Sequence, residues 1–279
     1  MLARLLTLGV ACLVVLLPAA TDAVTTDAPG GSPQPAGRAA SRSAARVETP
    51  VPAAARPLAG RTVVLDPGHQ LGNARHPREI DRLVQAGPSR KPCNTTGTST
   101  DSGYPEATLT WQVAMVARRD LQQAGARVVL TRSSNSASAW GPCVDARGRL
   151  GGRVHADLTV SIHGDGSYAR GARGFHVIAP ASVRGWTDDI AAPSRRLALS
   201  LRSALGRARF PRANYIAGGD GLDVRSDLGT LNLSDVPVAM VELGNMRNAT
   251  EARGMRSKQG RARYAHALTD GITRYLAAR

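Results

Sequence analysis

Apolar residues follow three regimes along the chain. At the start, Arg4 precedes a continuous apolar run from Leu5 to Leu17, and Thr21-Asp22-Ala23 adds small residues beyond it. This is the pattern of a secretory signal peptide over residues 1–23, because the run falls short of the ~20 residues a membrane span needs. Residues 24–58 are rich in Ala, Pro, Ser, Thr and Gly and almost empty of large apolar side chains. Such a segment cannot bury enough surface to offset its ordering entropy, so it reads as a disordered linker. From 59 to 279 the apolar positions become periodic, over a length that suits one folded domain.

Within that domain two periods alternate. Thr62 to Leu65 is a short β-branched run stopped by Pro67-Gly68, which predicts a buried strand ending in a turn. After it comes a long polar stretch, 70 to 105, with a short helix expected near 78–85. Leu109, Val113, Val116, Ala117, Leu121 and Ala124 then fall on one stripe at 100° per residue, predicting a helix from Glu106 to about Ala124 that stops at Gly125. Further strands are expected at 127–131, 156–163, 174–179 and 236–245, and further helices at 144–154, 188–205 and 259–276. The segment 210–235 reads as irregular. Strands alternating with helices define an α/β fold: a single domain built on a mostly parallel twisted sheet with helices on both faces.

Polar residues that break this pattern carry the candidate chemistry. His69 follows the first strand. His163 ends the strand in which Leu158, Val160 and Ile162 alternate with Thr159, Ser161 and His163. Glu242 interrupts the continuously apolar run Val238 to Leu243, where an unpaired buried carboxylate would be costly. Glu106 opens a helix and lies on that helix's apolar stripe. In a parallel α/β sheet, strand C-termini and helix N-termini share one edge, where ligands bind. Two histidines and a carboxylate (His69, Glu106 and His163) are the usual protein ligands of a catalytic zinc, which leaves Glu242 as a general base. Each group alone has a structural reading: a satisfied polar side chain at a strand end, or a carboxylate favoured by the helix dipole. Asp66 is expected to order the turn or to support a ligand. His76, His155, His176 and His266 lack comparable placement and read as structural or surface residues, and the pattern offers no account of Asp120.

Charge and cysteine usage narrow the setting. Lys and Arg number 36 against 21 Asp and Glu, a net charge of +15, with Lys91 and Lys258 as the only lysines. An exported basic protein could meet nucleic acid, acidic lipid or an anionic wall polymer. Aromatic content of 4% argues against nucleic acid, since single strands need stacking platforms. Loss of the signal peptide removes Cys12 and leaves Cys93 and Cys143, which predicts one disulfide, with two free thiols as the alternative.

The motifs Val63-Val64-Leu65-Asp66-Pro67-Gly68-His69, the helix-opening Glu106, Val129-Leu130-Thr131-Arg132, Ala156 to His163, and Val238 to Asn245 occur in an order that resembles the zinc-dependent N-acetylmuramoyl-L-alanine amidases of the type-3 group, in particular the secreted actinobacterial ones. The resemblance covers nearly all of 61–278. It implies zinc held by His69, Glu106 and His163, catalysis by Glu242, and a secreted or wall-associated hydrolase. The implied substrate is peptidoglycan or a muropeptide, cut between N-acetylmuramic acid and L-alanine. Gln70-Leu71, Asp165, Asn245 and the long 70–105 insert depart from the usual pattern. A zinc carboxypeptidase acting within stem peptides and a non-catalytic wall-binding protein are the competing readings. No amphipathic helix beyond that at about 193–206 stands between His163 and Glu242, so an open cleft is expected. A monomer with no stable membrane insertion after signal cleavage is the default.

Overall fold

The computed structural model describes residues 56–279; the expected signal peptide and nearly all of the expected linker lie outside the described residues. Leu58, one residue before the expected domain start, is fully buried, and its amide donates to the Ala124 carbonyl.

Six strands form the central sheet: β1 (Thr62–Pro67), β4 (Arg127–Leu130), β5 (Leu158–Asp165), β6 (His176–Pro180), β7 (Leu222–Arg225) and β8 (Val238–Asn245). Their order is β4-β1-β5-β8-β6-β7. The first four in that order are mutually parallel, while β6 runs antiparallel to β8 and carries β7 parallel to itself. The helices are α1 (Pro77–Asp81), α2 (Glu106–Gln123), α3 (Val144–Arg153), α4 (Ala191–Arg207), α5 (Gly229–Asn232), α6 (Ala249–Arg256) and α7 (Lys258–Ala277). The expected α/β fold with a mostly parallel sheet is what the chain adopts. None of the described helices is long and apolar enough to cross a membrane.

Alternation along the strands sends side chains to two unlike faces. Val63, Leu65, Leu158, Val160, Ile162, Val177, Ala239 and Val241 join one apolar core with residues of α2, α4 and α7. Ile178, Val238 and Met240 point the other way and pack on Leu231 of α5 and on Ile190. On that second face β1 and β5 present Asp66, Thr159 and Ser161, all fully buried. A buried carboxylate needs partners, and Asp66 has three. The Arg147 guanidinium of α3 pairs with it, Ser161 Oγ donates to Oδ2 at 2.6 Å and Thr131 Oγ1 donates to Oδ1 at 2.5 Å.

Several local expectations need correction. The short helix near 78–85 is instead α1, opened by Pro77 in the first turn, followed by a hairpin of β2 (Leu83–Gln85) against β3 (Arg90–Pro92). Arg82, at φ −59° and ψ 135°, ends the helix, and the Gly87-Pro88 turn joins the two strands. Residues 210–235 are not wholly irregular: they contain β7 and α5, both too short to show a period. Helix α6 was not expected; Asn248 caps it by accepting from the amides of Thr250 and Glu251. Asp120 has its account in His266, whose Nδ1 lies 2.8 Å from the carboxylate.

Candidate metal centre and its cleft

β1 ends at a turn that only a tight backbone can make. A Cβ on Gly68 would lie 2.4 Å from the His163 ring, so the glycine lets β1 close against that imidazole. The next residue, His69, sits in the left-handed region at φ +57°. A non-glycine residue pays roughly 1–3 kcal/mol for such a conformation. Arg147 offsets it by donating from Nη2 to the His69 carbonyl at 2.7 Å, while Nη1 donates to the Pro67 carbonyl at 2.9 Å. Asp66 therefore orders the turn through Arg147 and does not touch the imidazoles.

His69, Glu106 and His163 converge as expected, their candidate ligand atoms all within 4.8 Å of one another. Glu106 Oε1 lies 3.1 Å from His69 Nε2 and 2.9 Å from His163 Nδ1. Backbone amides fix the carboxylate: Thr98 donates to Oε2 at 2.9 Å and Gly164 to Oε1 at 3.1 Å. Burial alone would raise the Glu106 carboxyl, but the His69 and His163 imidazoles hold it well below the usual carboxylate range. Burial likewise disfavours charge on His69, and the Glu106 carboxylate outweighs it, so the imidazole is raised. A bound metal would take the place of the shared proton.

The arrangement fits a metal ion on its own terms. His69 Nδ1 lies 3.1 Å from the Thr95 carbonyl, which can only accept, so Nδ1 carries a hydrogen and Nε2, beside Glu106, is the nitrogen left to bond a metal. Asn73 Nδ2 donates to the same carbonyl at 2.7 Å. Two residues before Thr95, Cys93 is joined to Cys143 with a Cα–Cα distance of 4.3 Å. The expected disulfide is thus present, and it anchors the loop that orients His69. Gly97, at φ +76°, passes so close that a Cβ would lie 2.8 Å from both the Glu106 carboxylate and the His69 ring.

Glu242 faces the same space. It pairs in register with His163 on β5. Its Oε2 is buried without a hydrogen-bond partner. Burial first, then the charges of Glu106 and Asp165, push this carboxyl well above its ordinary range. The four groups line one cleft of about 410 Å³, with Asp165, Lys91, Asp227 and Thr230 on its rim. Lys91 Nζ lies 3.1 Å from Asp227, which also holds Arg225 at 2.8 Å. Of the segment between His163 and Glu242, Asp227, Leu228 and the α5 residues Gly229 and Thr230 line the cleft, and no residue of α4 does.

Sequence reasoning missed the backbone groups of Thr95, Thr98 and Gly164, which leave no side-chain signal. It also missed Arg147, whose helix has too few apolar positions to mark an inward face. Of the departures noted, Gln70 and Asn245 are structural. Gln70 Oε1 accepts from the amides of Leu71 and Ser136, and Asn245 Nδ2 donates to the Ser167 and Ala172 carbonyls. Asp165 faces the cleft, as does the 70–105 insert through Lys91, Asn94, Thr95 and Thr98.

Two imidazoles and a carboxylate, with a second carboxylate beside them, have the composition of a metal-dependent hydrolase centre. Residues 63–274 match the N-acetylmuramoyl-L-alanine amidase family. The chain is 42% identical over 221 residues to the N-acetylmuramoyl-L-alanine amidase Rv3717 of Mycobacterium tuberculosis, covering 79% of this chain and 88% of that protein. Crystal structures of the amidase Ami1 are also similar. That from Mycobacterium smegmatis has a TM-score of 0.74 at 37% identity, covering 80% of this chain and 99% of the other. The apo form from Mycobacterium abscessus has a TM-score of 0.73 at 42% identity, covering 78% of this chain and 100% of the other. The chain belongs to the N-acetylmuramoyl-L-alanine amidase family.

Proposed function

We propose that this enzyme is an exported zinc amidase that hydrolyses the bond between the lactyl group of N-acetylmuramic acid and the L-alanine of the stem peptide, with His69, Glu106 and His163 holding zinc and Glu242 moving the proton. The observation that carries this reading is the convergence of three ligand-type side chains within 4.8 Å beside a glutamate whose buried oxygen has no partner. When bound, zinc supplies a Lewis acid that acidifies water to a pKa of about 7 and counters the negative charge that raises Glu242.

The chain's own residues do the rest. Thr95 and Glu106 orient His69, and Thr98 and Gly164 hold Glu106, so the donor set is preorganised. Glu242 accepts a proton from the water whose oxygen bonds to the amide carbon. It then returns that proton to the nitrogen as the carbon–nitrogen bond breaks, leaving a lactyl carboxylate and a free L-alanine amine. Export over residues 1–23, with 24–58 as a tether and 59–279 as the catalytic domain, is supported by the Cys93–Cys143 bridge, which suits an oxidising compartment.

Mass spectrometry of the products from a disaccharide–peptide tests the reading. An intact disaccharide with a free lactyl carboxylate, and a peptide beginning in free L-alanine, are expected. Products shortened at the peptide's carboxyl end would assign the chain to the carboxypeptidase class, and no products would favour a binding protein.

A further inference from the structure

The cleft accounts for one half of a row of side chains that continues across the sheet. His163 on β5 pairs with Glu242 on β8, and Glu242 pairs with His176 on β6. Directly opposed residues of neighbouring strands share a face, with Cβ atoms ~4.5–5.5 Å apart in an antiparallel pair. His163, Glu242 and His176 therefore stand side by side on the polar face of the sheet. Gly68, just past the end of β1, bonds through its amide to the Ile162 carbonyl and begins the row with no side chain of its own.

His176 reads from the sequence as a structural or surface residue, and it is a buried one. It is 3% exposed, and its Nδ1 is buried without a hydrogen-bond partner. Glu242 Oε2, the neighbour in the row, is buried and unpartnered as well. Orphaned buried polar atoms are rare because each costs its full desolvation. Two on directly opposed residues point to one shared purpose. The surroundings keep the imidazole in place: its ring meets Tyr215 edge-on at 6.4 Å, and Tyr215 donates to Asp165 Oδ2 at 2.9 Å. Burial disfavours the charged imidazole despite the carboxylates of Asp165 and Asp223, with Arg225 acting in the same direction as burial. A neutral ring always has one nitrogen that can donate.

We propose that His176 is a positioning residue for catalysis: in the reacting enzyme its Nδ1–H donates, directly or through one water, to Glu242 Oε2, leaving the other carboxylate oxygen to handle the proton. A base held by a third group is a recurrent arrangement in hydrolytic sites. Apo geometry is often looser than that of the substrate complex, and the register of β6 on β8 sets the two side chains next to each other. His176 touches neither substrate nor metal and acts only through Glu242. The inference rests on the amidase reading above.

Three variants separate a positioning role from a structural one. His176→Asn keeps a donor where Nδ1 stands, His176→Leu has nearly the same size without it, and His176→Phe fills the ring volume with apolar atoms. Turnover and KM on a disaccharide–peptide are measured for each, with zinc content and Tm. Losing a hydrogen bond to a charged group is worth about ten- to a hundred-fold in rate. His176→Leu and His176→Phe should lose about that much in kcat, with KM and zinc content unchanged, and His176→Asn should recover most of it. A purely structural histidine gives the opposite: replacing an unpartnered buried polar group by Phe would raise Tm and leave kcat alone. Equal kcat for His176→Asn and His176→Leu overturns the proposal, as does wild-type kcat in His176→Phe. Should His176→Phe not fold, the near-isosteric Asn and Leu pair decides alone. An inactive wild type would instead overturn the amidase reading itself.

Discussion

The same strands build both faces of the central sheet, and the two faces are held by different physics. Toward α2, α4 and α7, alternate residues of β1, β5, β6 and β8 are aliphatic and join one continuous core. That face is stabilised by non-directional burial, roughly 25 cal/mol per Å² of apolar area. Toward α3 and α5, the intervening residues include Asp66, Thr159, Ser161, His163, Glu242 and His176. There the buried groups answer to particular partners, or, at Glu242 Oε2 and His176 Nδ1, stand without one. Asp66 is closed by Arg147, Ser161 and Thr131, and Arg147 in turn holds the carbonyls of Pro67 and His69. The difference shows a division of labour. One face makes the domain stable, while the other spends part of that stability on a rigid polar frame whose upper row is the candidate site.

The comparison can be broken most severely at Glu242. Glu242→Gln removes the proton acceptor and should lower kcat by roughly 10²–10⁴-fold, with KM little changed, in an assay of released amine. Full activity in that variant would mean that the polar face carries no catalytic base.

Next in size is the frame below the site. Asp66→Asn leaves Arg147 charged, buried and unpaired, so unfolding in denaturant should show a loss of about 3–5 kcal/mol. The effect also has a pH signature. Burial alone would raise the Asp66 carboxyl, but Arg147 with the Ser161 and Thr131 hydroxyls lowers it below its ordinary value. Its contribution is therefore fully present above the unfolded-state value of about 3.9 and is lost as pH falls through the lower folded value. Wild-type stability should decline in that acid range more steeply than that of Asp66→Asn. Parallel curves would show that the pair contributes nothing through ionisation.

On the apolar face, Leu201→Ala of α4 empties a fully buried site and should cost about 2–5 kcal/mol. The expected contrast is functional. Folded Leu201→Ala should keep wild-type kcat at low temperature, whereas Asp66→Asn should lose activity as well as stability because Arg147 no longer fixes the His69 carbonyl. Equal kcat in the two variants would erase the distinction between the faces.

The two faces also differ in how far they can be read without coordinates. The apolar face was predictable because burial enforces a period: Leu109, Val113, Ala117 and Leu121 marked the inward side of α2, and the strands showed themselves by β-branched runs. The site was partly predictable for a related reason, since Glu242, His163 and Glu106 interrupt apolar patterns and interruptions are conspicuous. The rest of the polar face was not. Arg147 shares the buried face of α3 with Gly148 and Gly151, a face that no large apolar residue marks, and the Thr95 carbonyl and the Thr98 and Gly164 amides act through backbone that any residue supplies. His176 gains its meaning only from the antiparallel register of β6 against β8, which nothing in its own neighbourhood announces. Segments of three or four residues, such as β2, β7 and α5, are too short to display a period at all.

Three residues are proposed to hold the metal, and a fourth, on the adjacent strand, is not. Elemental analysis of purified wild type, Glu242→Gln and His163→Ala, each paired with a turnover measurement, tests this assignment most directly. One zinc per chain is expected in wild type and in Glu242→Gln, with turnover in the first alone, and loss of both zinc and turnover in His163→Ala. Zinc retained at full stoichiometry in His163→Ala, or lost from Glu242→Gln, would contradict the assignment.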